Sequence, residues 1–426
     1  MPTVAWNPNS QNTAQVDTLV VTGVAVGGTL SAVINGKSIT YTCITGDTTA
    51  TAATGWQALL AGSTVPPEFG EIDFTVSSST ITATASSPGT PYTMTKSQSG
   101  GATCTLTHTT ANASESDVYN ASNWIRGGVA QLPQNGDDMV LGNSSVPLLW
   151  NLDLLSGVLL NSYSRYQSFT GTVGLPENNP LGYVEYRPTY FKIGSNINPA
   201  ISAFQMILGA GSGQGPTRER YDLQSYRTAL TVIASGTPAD DYAVRFLGSH
   251  GLNAITVLGS SVGICMLPTE VTPYGATINT ATVDGGGTLD CGAGCQFSGT
   301  SGGGTLTVTG GTCALFDTPS ITARNNATVT LAAQNGTYSS VVCNNGVTLN
   351  IVAPMTITVL TWQKSSTVDA SNTLGAVTVT TSTMDGDTCV VTDPNNVITW
   401  TNATTVNGEV TSGPFQFTGS RTVKVT

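Results

Sequence analysis

Between about Thr277 and Trp400 the chain alternates apolar and hydroxyl-bearing side chains in short runs, most of them bounded by Gly or Asn. Gly304-Thr-Leu-Thr-Val-Thr-Gly310, Ala327-Thr-Val-Thr-Leu331, Gly346-Val-Thr-Leu-Asn-Ile351 and Met355-Thr-Ile-Thr-Val359 are examples. A period of two sends successive side chains to opposite faces, so these runs are expected to be half-buried strands. Leu331 and Leu349 stand 18 residues apart, as do Val359 and Val377. A recurrence of that length suits the stacked coils of a β-solenoid, where each coil buries its apolar face against its neighbours.

Seven more strand patterns lie in residues 16–111: Asp17–Thr22, Thr29–Ile34, Ser38–Cys43, Ile72–Val76, Thr80–Thr84, Tyr92–Thr95 and Thr103–Thr107. Asn35-Gly36 is a hairpin signal between the second and third. After the third, the spacing becomes helical: Ala52, Ala53, Trp56, Leu59 and Leu60 share one face, with Asp47 placed to cap it. Seven strands and a crossing helix predict a compact β-sandwich module. Residues 1–15, rich in Asn, Gln and Pro, are expected to form an extended arm.

Residues 112–275 hold eight of the 14 Lys/Arg, from Arg126 to Arg245, and a cluster of tyrosines. They are expected to form a wide β-helix region with loops projecting at Leu175–Pro188 and Gly209–Asp222. Residues 276–426 are expected to be a narrower solenoid closed by Phe415–Phe417 and Thr422–Thr426. The predicted fold class is all-β: an N-terminal β-sandwich with one short helix, then a β-solenoid body.

Composition narrows the function. Only 9% of residues are charged, the net charge is −11, and Lys and Arg form no concentrated basic patch. Nucleic acid is therefore a poor partner, since phosphate binding needs clustered positive charge. No run approaches the ~18 apolar residues of a membrane-spanning helix. Met1-Pro-Thr-Val-Ala-Trp-Asn-Pro lacks the basic start and apolar run of a signal peptide. The eight cysteines suit a narrow strand interior as small apolar residues; Cys43 and Cys104 are expected to be a free, buried pair. Cys291-Gly-Ala-Gly-Cys295 has no histidine nearby to complete a zinc site.

Val16-Asp-Thr-Leu-Val-Val-Thr-Gly23, Ile34-Asn-Gly-Lys-Ser-Ile-Thr-Tyr-Thr42, Gly46-Asp-Thr-Thr-Ala-Thr51 and Gly89-Thr-Pro-Tyr-Thr-Met-Thr95 carry a resemblance. Together they resemble a module of tailed-phage virion proteins and some bacterial surface proteins. It covers under a quarter of the chain and implies no catalytic residue. Asn123-Trp124, Gly127-Gly128-Val129, Pro133 and Gly136-Asp137 are similar to the first coil of autotransporter-type β-helices. That resemblance implies that Trp124 caps the solenoid core and that Gly136-Asp137 turns into the first full coil. The long Val129-to-Gly136 spacing and Ile125-Arg126 after the tryptophan depart from the pattern.

Candidate chemistry is sparse. His108 and His250 sit in no nucleophile or metal-ligand context. Asp137-Asp138, Asp240-Asp241 and Asp385-Gly-Asp387 are the acidic pairs, and each adjoins Gly, Pro or Asn, where Asp is an ordinary turn residue. Arg218, Arg220, Tyr221, Tyr226 and Arg227 form the most functional-looking cluster, of the types enriched at protein interfaces. Anchoring of a loop to the body is the plainer reading. Trp6 on the arm is a further interface candidate.

The expectation is a non-catalytic structural protein of a tailed-phage virion, assembled in host cytoplasm, needing no cofactor. Its expected partners are capsid or tail proteins of the same particle and copies of itself, a trimer above all, with a host surface glycan as a further candidate. The alternatives are a bacterial surface adhesin and a tail-borne polysaccharide depolymerase.

Overall fold

The computed structural model describes residues 2–195, 204–210, 215–233, 242–247, 249–264, 276–278, 280–284, 287–291, 295–297, 305–309, 312–315, 319–385, 389–402, 405–406, 409–410 and 421–425. Strands dominate, and Thr49–Leu60 is the one α-helix among these residues, so the chain is all-β.

The N-terminal module contains two antiparallel sheets. One orders Ile72–Ser77, Thr80–Ala85, Val16–Gly23 and Thr103–Thr110; the other orders Lys37–Thr42, Thr29–Ile34 and Met94–Ser99. Leu19, Leu30, Ile34 and Ile81 alternate inward from the sheets and join Trp56 and Phe69 in one apolar cluster. The helix starts one residue later than its sequence signal. Thr48 is the cap, forming a reciprocal capping box with Thr51. Asp47 instead braces the preceding turn, accepting from the Ile44 amide and the Tyr41 hydroxyl. Ala52, Ala53, Trp56 and Leu60 are buried, but Leu59 is 46% exposed because the helix covers the sheets with a narrower face than its apolar pattern offers. Cys43 and Cys104 are free and buried.

In the body, parallel strands stack in two long sheets. The first runs from Asp138–Leu141 through Ser162–Tyr166, Phe204–Ala210, Arg227–Ile233 and Ser249–Leu258, and continues to Met355–Gln363 and Val377–Asp385. The second runs from Phe191–Lys192 through Glu219–Asp222 and Val244–Leu247 to Thr367–Asp369 and Cys389–Asp393. The first sheet shifts register at Arg165/Tyr166 and Thr228/Ala229, whereas the parallel pairings of the second run without a shift, so its like residues form columns. Val262, Leu289, Cys313, Val329, Leu349 and Val368 are successive partners. Alternate positions give Thr288, Thr328, Thr348 and Thr367 on the other face. Both sheets feed one apolar cluster.

The 18-residue spacing does not set the register. Val329 pairs with Leu349, a step of 20, and Met355 pairs with Val377, a step of 22. Leu331 meets Ile351, and Val359 meets Thr381. Slipping a strand by one residue would turn its apolar set outward, so the apolar faces fix pairing and the connecting loops absorb the difference in length.

The predicted arm is a paired strand. Thr3–Trp6 bonds in parallel to Asp138–Leu141 and antiparallel to Trp124–Arg126, which buries Val4 and Trp6. At the other end Arg421–Val425 pairs antiparallel with Cys389–Asp393, and Glu409–Val410 with Thr405–Val406. The predicted closing strand at 422–426 is thus present over Arg421–Val425, whereas residues 415–417 lie outside the described residues.

Candidate functional site at the module–body junction

Of the Arg/Tyr cluster, Tyr221 turns inward, onto a buried ion pair. Arg165 occupies an inward column of the first sheet, between Leu141 and Leu208. A guanidinium there needs an anion, and Glu219 supplies it from the second sheet: Nη2 donates to Oε1 at 2.6 Å and Nε to Oε2 at 3.2 Å, with both side chains fully buried. Tyr221 donates to Glu219 at 2.9 Å and lies 2.9 Å from the Tyr163 hydroxyl. Burial and the Glu219 charge push the Tyr221 hydroxyl well above its ordinary value. Burial opposes the charge of Arg165, but the Glu219 carboxylate outweighs it and holds the guanidinium protonated.

Arg220 and Tyr221 are therefore not available as interface residues: they are 2% and 0% exposed. Arg220 points to the opposite face of the strand and donates to the carbonyls of Glu219 and Tyr242. Arg218 is half-buried and donates to the Gly174 carbonyl. Tyr226 is half-buried in the turn before Arg227, and Arg227 opens the strand Arg227–Ile233; the Arg227 side chain lies outside the described set. Trp6 is buried edge-on against Trp124 at 4.9 Å and donates to the Val146 carbonyl. Trp124 is fully buried and donates to the Val118 carbonyl. Interior packing of the N-terminal strand removes Trp6 from the surface.

The loop expected to project from the body, Leu175–Pro188, is instead a strap. Glu177 reaches Arg245 at 2.7 Å on the outward face of the second sheet. Arg187, near the end of the strap, joins the body to the module. It holds Glu185 bidentately at 2.7 and 2.9 Å, reaches Glu71 of the module at 3.0 Å, and donates to the Pro91 carbonyl at 2.8 Å. Asn179 donates to the same two carboxylates. The guanidinium also lies 4.9 Å from the Trp150 ring centre and 5.0 Å from that of Tyr186. Burial alone would raise the Glu185 carboxyl, but the Arg187 hydrogen bonds outweigh it and hold it below its ordinary value. Burial pushes the Tyr186 hydroxyl up to about 12.

Beside this clamp lies a cleft of about 520 Å³. Gly70, Glu71, Ser86, Ser87 and Thr90 form the module wall; Trp150, Leu175, Pro176, Leu181 and Arg218 contribute to the body wall. Arg187 and Glu185 were not singled out from sequence. Their signal is the Glu-Tyr-Arg-Pro run within a long loop, which is informative only once Glu71 and Pro91 are brought to it.

The acidic pairs behave as turn and ladder residues where they are described. Asp137 accepts from Arg126 and the Gln134 amide, and Asp138 from Asn161 and Ser162. Gly136-Asp137 does form the turn into the strand Asp138–Leu141. Asp385 is exposed at the end of a strand; Asp240, Asp241 and Asp387 lie outside the described residues. His108 binds Asp17 within the module at 2.6 Å. Cys291, Cys343 and Cys389 are free and buried. Compared with known proteins, the chain matches no family model, and no curated protein is significantly similar to it.

Proposed function

We propose that this chain is a non-catalytic structural protein of a tailed-phage virion, a decoration, head-fibre or tail-associated component. In this reading the body is a β-solenoid, the N-terminal unit a β-sandwich docking module, and the whole a stiff element displayed on a particle. The observation that carries it is the long parallel ladder with one apolar interior. Such a stack is rigid because each coil is fixed by both neighbours. The clamp at Arg187 extends that rigidity to the module, as display of a fixed shape requires. The resemblance of residues 16–111 to virion modules supports the particle as the setting.

Attachment is assigned to capsid or tail proteins of the same particle, with self-association as a trimer. Quantitative mass spectrometry of purified particles tests the reading. A copy number in fixed ratio to a capsid or tail protein is expected; absence from purified particles would overturn it. The depolymerase alternative gains nothing from the junction, because Glu71 and Glu185 are tied to one guanidinium and burial does not win at Glu185. A glycosidic acid needs its pKa raised, not lowered.

A further inference from the structure

We propose that the junction cleft is a binding site for a short, uncharged oligosaccharide. The site does not depend on the virion reading and would serve equally on a particle or a cell surface.

The argument starts from what lines the cleft. One wall is small and hydroxyl-bearing, with Ser86 and Ser87 exposed and Thr90 half-buried. The facing wall is apolar: Trp150 is half-buried, Leu181 is 49% exposed, and Pro176 and Pro180 flank them. Between them the floor holds planar polar groups, Arg187, Glu185 and Glu71, locked in place by their mutual bonds. A sugar ring presents carbon-bound hydrogens on its faces and hydroxyls around its rim. It therefore needs an apolar surface beside fixed donors and acceptors, and these walls pair the two.

Charge and backbone exclude the nearest competitors. Two carboxylates and two guanidiniums line the cleft, so it offers no excess charge to a phosphate or a polyanionic chain. No lining residue belongs to a strand, so an extended peptide would find no sheet edge with which to pair. The volume of about 520 Å³ falls within the range of small-ligand sites, roughly 300–1,000 Å³. The floor is also preorganised, since Arg187 is held from both units and ligand binding need not order it.

Tryptophan fluorescence reads this site selectively. Of the six tryptophans, Trp6, Trp56, Trp124, Trp362 and Trp400 are at most 4% exposed, which leaves Trp150 as the one open to a quencher. The full chain is screened against an array of neutral and acidic oligosaccharides, and hits are titrated with acrylamide quenching as the readout. A neutral oligosaccharide binding with Kd below about 1 mM and shielding Trp150 is expected. Ser87→Phe, at an exposed position that fills the cleft, is expected to weaken binding at least tenfold with the melting temperature unchanged; Leu181→Ala is expected to weaken it less. The proposal is overturned if no neutral sugar binds at millimolar concentration, if only acidic sugars bind, if a partner protein segment alone protects Trp150, or if Ser87→Phe binds as well as the parent.

Discussion

At the scale of single residues, the buried Arg165–Glu219 pair bears most directly on stability. Two fully buried charges cross the interior, with the tyrosines 163 and 221 around them. Removing one partner strands the other in a low-dielectric interior, at a cost of about 3–5 kcal/mol, whereas removing both leaves no buried charge and the Tyr163 and Tyr221 hydroxyls still bonded to each other. Arg165→Met and Glu219→Leu are each expected to lower the melting temperature sharply. The double variant is expected to recover most of the loss, as measured by thermal denaturation followed by circular dichroism. Equal losses in single and double variants would contradict the assignment. Gly215 packs directly against the Arg165 guanidinium, where a Cβ would clash, so Gly215→Ala is expected to disturb the same pair. In the module, Thr48→Ala is expected to cost about 1 kcal/mol through loss of the helix cap.

At the scale of elements, the strap decides whether module and body move together. Arg187→Ala removes the bonds to Glu71, Glu185 and Pro91 at once. Limited proteolysis should then cut within residues 175–188 at least several-fold faster than in the parent. The pH dependence follows from Glu185. Its folded pKa lies below the ordinary 4.5, so its contribution is complete above that value and is lost as pH falls through the lowered one. Strap cleavage by an acid-active protease is expected to accelerate in the parent as pH falls below the ordinary carboxylate value and through the lowered one. Glu185→Gln should already be cut fast at the upper end of that protease's pH range and show a flatter profile.

Much of this scale was legible in sequence. Period-two alternation located Thr29–Ile34 to the residue and most other module strands within two or three. It also marked the Thr/Val ladders, because those strands keep one face apolar. Three features were not legible, each for a physical reason. Thr3–Trp6 is a four-residue strand whose partners lie about 120 and 135 residues away, so nothing local marks it. Tyr183–Tyr186 has the composition of a strand but lies irregularly in the strap, where tertiary contacts to the module override propensity. Arg220 and Tyr221 look like interface residues by type, yet alternation and the overlying strap bury both. Of the junction site, sequence gave only the residue types within a long loop.

For the whole molecule, everything rests on the body's second sheet being one in-register parallel stack. Among the described residues the second sheet has 11 strands, ten of them parallel, which at about 4.8 Å per step gives a run of roughly 4–5 nm. Antiparallel strands finish it at the C-terminal side, and Trp124 with Trp6 fills the N-terminal side. Register is the property that distinguishes this account from a looser assembly of strands with an 18-residue repeat. Paired cysteines measure it directly: Thr328→Cys with Thr348→Cys places two thiols on in-register neighbours, and Thr330→Cys with Thr348→Cys places them one diagonal apart at the 18-residue spacing. The account predicts rapid, near-complete disulfide formation under mild oxidation in the first pair and little in the second. Preferential bonding of the second pair, or none in either, would contradict it.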